Sequence, residues 1–208
     1  MTPIETIMRT APVIPVLVID DVAHARPIAE ALVAGGLRVL EVTLRTAAAL
    51  DVIRAMKDVE GAIVGAGTVL NEADLRASID AGAGFIVSPG LTEPLGRAAI
   101  ASGIPFLPGI ANAGDIMRGL DMGLSHFKFF PAEASGGIAA LKALAAPFHR
   151  CLFCPTGGIT EATAPNWLAL DPVLCVGGSW VVGKGAPDIA AIRAAAQASA
   201  AFAKPTHR

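Results

Sequence analysis

Apolar runs of four to eight residues alternate along this chain with alanine-rich segments whose apolar positions recur at helical spacing. The runs predict eight strands, at 13–18, 37–44, 62–67, 84–88, 104–108, 125–130, 151–154 and 173–177. The intervening segments predict helices at about 22–34, 46–58, 71–81, 92–101, 112–121, 136–145, 160–169 and 187–202, and a short helix at 3–9 precedes the first strand. Asn71 with Asp74, Thr92 with Pro94, and Thr160 with Glu161 offer helix caps or first-turn acids. Strands that are each followed by a helix place the chain in the α/β class, as a parallel (β/α)8 barrel with a short extra N-terminal helix. A doubly wound open sheet competes. Gly65-Ala66-Gly67 looks like the start of a dinucleotide fingerprint, but Leu70 stands where the third glycine belongs. No linker or composition shift divides the chain, so residues 1–208 read as a single domain.

Polar residues interrupt this pattern where barrels of this kind carry their chemistry, toward the carboxyl ends of the strands. On strand two, Leu40, Val42 and Leu44 share one face by alternation, while Glu41, Thr43 and Arg45 share the other. If the apolar face meets the helices, a glutamate and an arginine point inward, where they are costly unless paired or used. A structural Glu41–Arg45 pair is the plain alternative. On strand three, Val64, Ala66 and Thr68 share a face, and Thr68 offers a hydroxyl at the strand end or simply a helix cap. The run HFKFFPAE at 126–133 sets Lys128 with His126 and Phe130, opposite Phe127 and Phe129. Burial disfavours an ammonium, and a desolvated neutral amine forms Schiff bases with carbonyl substrates. The competing reading has the lysine stem on apolar surface and its head in solvent. Strands seven and eight end in glycine pairs, CPTGGIT at 154–160 and CVGGSW at 175–180. Such loops let backbone N–H groups approach an anion, although they also serve as ordinary tight turns.

Composition narrows the classes. A hydrophobic fraction of 53% against 16% charged residues excludes global disorder. A net charge of −2 without a basic stripe, and the absence of tyrosine, leave no nucleic-acid footprint. No apolar run approaches the roughly 18 residues of a spanning helix. The apolar stretch 11–19 does not read as a signal peptide, given Glu5 before it, Pro12 and Pro15 within it and Asp20-Asp21 after it, so the expected location is cytoplasmic. Cys151 and Cys154 form a C-x-x-C, but that spacing puts them on opposite faces of a strand. Together with Cys175 they make an odd total, and His24, His126, His149 and His207 lack ligand spacing, so no metal site is expected.

The segments VLEVTLRT at 39–46, GAGTVL at 65–70, SPGLTEP at 88–94, FKFFPAE at 127–133, FCPTGGIT at 153–160 and VGGSW at 176–180 resemble, in order, the class I pyruvate aldolases that cleave 2-keto-3-deoxy-6-phosphogluconate (KDPG) or 4-hydroxy-2-oxoglutarate (KHG). The resemblance runs from near residue 11 to about residue 183 and weakens after Gly183. It implies that Lys128 is the Schiff-base lysine and Glu41 the general acid/base. It implies that Arg45 and Thr68 hold the pyruvate carboxylate and that Pro89 and Phe130 line the pocket. Thr156, Gly157, Gly158, Gly178 and Ser179 would form the phosphate end. The implied activity is cleavage of KDPG to pyruvate and glyceraldehyde 3-phosphate, by a cytoplasmic homotrimer that needs no cofactor and no metal. The acceptor pocket would decide whether KHG or the galactonate epimer is also cleaved. Another phosphate-binding barrel enzyme, a sugar-phosphate isomerase or epimerase, would share the glycine loops but would not need Lys128. A barrel that only binds a metabolite would not need Lys128, Glu41 and Arg45 together.

Overall fold

A computed structural model describes residues 1–183 and 185–202. Helix α1 (Pro3–Thr10) leads into β1 (Val13–Leu17), followed by α2 (Ala25–Ala34), β2 (Val39–Thr43), α3 (Ala49–Met56), β3 (Ile63–Gly67), α4 (Glu72–Ala81), β4 (Ile86–Val87) and α5 (Glu93–Ser102). Then come β5 (Phe106–Leu107), β6 (Gly109–Ile110), α6 (Ala113–Asp121), β7 (His126–Phe129), α7 (Gly137–Ala145), β8 (Leu152–Pro155), α8 (Ala164–Leu168), β9 (Val176–Gly178) and α9 (Ile189–Ala200). All strand pairings given are parallel: one sheet has the order β5-β4-β3-β2-β1-β9 and the other β6-β7-β8. The sheets curl toward each other around a common interior.

Strands covered on both faces are apolar on both, and alternation sends successive side chains to two different cores. Leu40, Val42, Val64, Ala66, Phe127, Phe129 and Phe153 belong to the large core under the helices. Ile14, Val39, Phe85, Val87, Leu107, Cys154, Leu174 and Cys175 form a second core inside the curl, with Ile63 and Leu152 packed against it. Helix α1 closes the amino end of that interior. Thr2 caps it by accepting from the Glu5 N–H, Pro3 opens it, and Ile4, Ile7 and Met8 turn one face into the inner core. Cys151 lies in the outer core and Cys154 in the inner one, as alternation requires; among the described residues the three cysteines are free.

Several boundaries differ from expectation for identifiable reasons. The fifth run is interrupted: β5 ends at Leu107 and β6 begins at Gly109, because Pro108 between them has no N–H to give a ladder. The fourth run pairs over Ile86–Val87 only, and the last begins at Val176, Val173 being held by a single bridge to Phe153. The expected helix from 46 starts at Ala49, since Thr46 instead donates its hydroxyl to the Ile19 carbonyl at 2.8 Å. Thr160 starts no helix. The 160–163 segment closes a turn on its own hydroxyls and α8 begins at Ala164. Thr92 precedes α5 without a side-chain cap bond, whereas Asn71 caps α4 by accepting from the Asp74 N–H at 2.9 Å. Among the described residues no helix is long and apolar enough to cross a membrane.

Candidate active site

The inner core is apolar at its α1 end and turns polar two residues further along the strands. Lys128 on β7 is 6% exposed and Glu41 on β2 is 3% exposed; Lys128 Nζ donates to Glu41 Oε1 at 3.0 Å. A buried charge of either sign is costly alone, so each accounts for the other. Nζ also lies 5.3 Å from the centroid of the Phe130 ring, within cation–π range. Space for the carboxylate comes from β3: a Cβ at Gly67 would collide with the Glu41 carboxylate, and one at Gly65 with the Phe85 ring. The inward face of β3 is therefore Gly65 and Gly67. Val64 and Ala66, the other face by alternation, pack outward beneath the helices.

Thr68 follows Gly67 with φ at +61°, a left-handed conformation that a β-branched residue rarely adopts. Strain of this kind concentrates at functional sites and ends the alternation of β3 there. On β2, Thr43 donates to the Leu17 carbonyl at 2.8 Å and accepts from Arg45 Nε at 3.1 Å. Glu41 and Arg45 are not paired with one another. Arg45 is exposed and lines a cleft of about 810 Å³ together with Asp20, Asp21, His24, Ser179 and Val182.

The remaining residues frame the same end. The Pro89 carbonyl packs so closely on Gly109 that no Cβ fits there. Phe130 lies against Gly157, and Thr156 fills the place that Gly177, its bridge partner, leaves open. Gly157 and Gly158 have φ of +102° and +80°, which glycine adopts without strain. The Trp180 ring covers Gly178, and Ser179 stands exposed beside it. A separate hollow of about 560 Å³ at the amino end of β8, lined by Lys142, His149, Cys151 and Asp171 among others, contains none of these residues.

Two features were not singled out from sequence. Gly67 carried a signal, a glycine inside a strand next to a polar neighbour, which often marks close approach of another group. The segment after β1, with Asp20, Asp21 and His24, sits at a strand's carboxyl end, and position alone would have flagged it.

Chemically, a lysine and a glutamate within hydrogen-bond distance in a buried pocket pair a potential amine nucleophile with a potential general base. Cys175 and Cys151 are poor rivals as nucleophiles. A hydrogen bond with Cys154 and then burial push the Cys175 thiol well above the usual range, and burial raises that of Cys151. At the α1 end, burial holds His126 below the usual histidine range; its Nε2 is 3.6 Å from Glu5 Oε2, beyond hydrogen-bond length. The hydrogen bond from Arg9, at 2.8 Å, lowers the Glu5 carboxyl. Among the described residues, no group of three or more His, Cys, Asp or Glu side chains converges to hold a metal.

Comparison with known proteins gives a consistent picture. A family model described as KDPG and KHG aldolase matches residues 4–195. The 2-dehydro-3-deoxy-phosphogluconate aldolase of Zymomonas mobilis is 59% identical over 202 residues, 97% of each chain. The crystal structure of the Zymomonas mobilis ZM4 KDPG aldolase with 3-phosphoglycerate superimposes with a TM-score of 0.97 at 58% identity, covering 99% of both chains. The Legionella pneumophila KDPG aldolase, solved with pyruvate captured as a covalent carbinolamine, gives a TM-score of 0.91 at 43% identity, covering 96% of this chain and 99% of that one.

Proposed function

The chain belongs to the KDPG and KHG aldolase family, and from that premise we propose that Lys128 and Glu41 perform its carbon–carbon cleavage. The substrate is the phosphorylated 2-oxo acid KDPG, which is split to pyruvate and glyceraldehyde 3-phosphate; KHG fits the same chemistry with a smaller acceptor. The observation that carries the residue assignment is the buried 3.0 Å contact between Lys128 Nζ and Glu41 Oε1.

Transfer of the Nζ proton across that contact frees the amine lone pair. Nζ attacks the C2 ketone, Glu41 returns that proton to the carbinolamine hydroxyl, which leaves as water, and the resulting iminium withdraws electrons from C3. Glu41 takes the proton of the C4 hydroxyl, the C3–C4 bond breaks, and glyceraldehyde 3-phosphate leaves. The electron pair stays on pyruvate as an enamine, which regains a proton at C3 from Glu41. Water then hydrolyses the iminium and releases pyruvate and Lys128. One carboxyl group serves in turn as base and as acid. Arg45, at the mouth of the cleft, grips the pyruvate carboxylate as a bidentate fork, helped by Thr68. Pro89 and Phe130 wall the pocket. Thr156, the Gly157–Gly158 turn, Gly178 and Ser179 receive the phosphate.

The same reading makes the strands a closed (β/α)8 barrel over one domain, residues 1–208. In support, β5 and β6 behave as one strand broken at Pro108, and the bridges Phe153–Val173 and Thr156–Gly177 join β8 to β9. A homotrimer follows from the resemblance stated above. Exposed Ile79, Ile100, Met117 and Leu120 on successive helices supply apolar surface for subunit contact.

Pyruvate release from KDPG, followed through a coupled dehydrogenase, tests the assignment with Glu41→Gln. The variant is expected to form a reducible pyruvate adduct yet to turn over about 10²–10⁴-fold more slowly, the range for loss of a general acid/base. Near-normal turnover removes Glu41 from the mechanism.

A further inference from the structure

Glu133 stands outside every role described above, although it lies beside the proposed phosphate end. Its carboxylate accepts from Trp167 Nε1 at 3.0 Å, and Trp167 is fully buried, with its ring 6.3 Å from that of Phe129 on β7. Its stem lies on the glycine turn: a Cβ at Gly158 would run into Cβ and Cγ of Glu133. Its backbone N–H donates to the Gly157 carbonyl at 3.1 Å, next to the Ala132 N–H on Thr156 O at 2.8 Å. One residue thus touches the turn by main chain and by stem, and ties it through its head group to the core of α8.

We infer that Glu133 is a positioning residue that holds the Gly157–Gly158 turn in shape for an anionic phosphate; this rests on the phosphate-site reading above. A carboxylate this close to the anion would repel it if it acted by charge. Its use is mechanical: the stem fills the space opened by the absent side chain of Gly158, and the Trp167 indole keeps the carboxylate turned away. Glu41 lies on β2, and Lys128, although on β7, faces Glu41 on the side of the strand opposite Phe129 and Trp167.

The test compares cleavage of the phosphorylated 2-oxo acid with cleavage of unphosphorylated 4-hydroxy-2-oxoglutarate, with borohydride trapping of pyruvate as a third readout. In the wild type, KM is expected to be lower for the phosphorylated substrate. Equal KM values would sink the phosphate-site reading itself, and this inference with it. Given that difference, Glu133→Ala should raise KM for the phosphorylated substrate about tenfold, the scale of one lost charge-assisted hydrogen bond. Turnover of the other substrate and the yield of trapped pyruvate should stay within about twofold, as expected when only binding of the remote group is lost. Glu133→Gln keeps an acceptor for Trp167 and the stem over Gly158, so it should restore the wild-type KM or lower it. Trp167→Phe removes only the donor and should raise the same KM about threefold, which keeps the test available if Glu133→Ala folds poorly. Equal losses on both substrates, a KM unmoved in Glu133→Ala and Trp167→Phe, or a Glu133→Gln variant as impaired as Glu133→Ala would overturn the inference.

Discussion

The two ends of the inner core use the same strands for opposite purposes. Toward α1, β2 presents Val39 and β8 presents Leu152, and Ile4, Ile7 and Met8 seal them over. Two residues further along the same faces stand Glu41 and Cys154, and β7 supplies Lys128. The change costs only one step of alternation on each strand, because side chains on one face recur every second residue. The sealed end is built for packing. The open end keeps a buried ion pair that well-packed apolar residues could replace without loss of stability, and such pairs persist where they are used. His126 is the exception at the sealed end, a buried imidazole two residues before Lys128 on the same face.

The comparison can be broken most severely at the open end. Lys128→Ala should abolish KDPG cleavage and the exchange of pyruvate methyl protons with solvent together. Exchange that survives, read by the disappearance of the methyl resonance in deuterium oxide, would separate the enamine from this lysine. Gly67→Ala drives a methyl group into the Glu41 carboxylate and is expected to lower kcat by about 10², the scale of a displaced catalytic group. An unchanged kcat would mean that Glu41 can move without consequence.

At the sealed end the effects should appear in stability instead. Met8→Ala leaves a cavity in the inner core and should cost about 2–5 kcal/mol in denaturant unfolding. Its kcat at a temperature where it remains folded should match the wild type; a parallel fall in kcat would show that the two ends are not separable. The smallest effect concerns pH. Burial lowers His126 in the folded state, so the unfolded chain binds its proton first as pH falls. Stability is therefore full above the unfolded histidine value and declines as pH drops from there toward the folded value, by at most about 1.4 kcal/mol per pH unit. Glu5, lowered by Arg9, adds a loss of the same sign below the ordinary carboxylate value. His126→Gln should flatten the upper part of that slope, and an unchanged slope would assign it to other groups.

Much of this division was legible in the chain. Alternation alone put Leu40 and Val42 outward with Glu41 inward, and Phe127 and Phe129 outward with Lys128 inward, because charged residues broke an otherwise apolar pattern. On β3 nothing polar broke it. Both faces of a covered parallel strand are apolar or small, and the face of Val64 and Ala66 could not be distinguished from the face of Gly65 and Gly67. The Glu41–Lys128 contact was also hidden. Residues four apart on a strand are separated by about 13 Å, which keeps Arg45 from Glu41, but which other strand faces Glu41 depends on curvature that no local pattern encodes. The position of Pro108 was visible, while its effect of splitting one run into β5 and β6 required knowing which N–H the ladder needs.

On the proposed mechanism, Lys128 forms an imine with a 2-oxo acid inside the open end of this interior. Incubation with pyruvate and sodium borohydride, followed by proteolysis and mass mapping, addresses it directly. The expected result is a single reduced pyruvyl adduct on the peptide containing Lys128, with none in Lys128→Ala. An adduct on another lysine, or activity on KDPG with no adduct at all, would contradict the account.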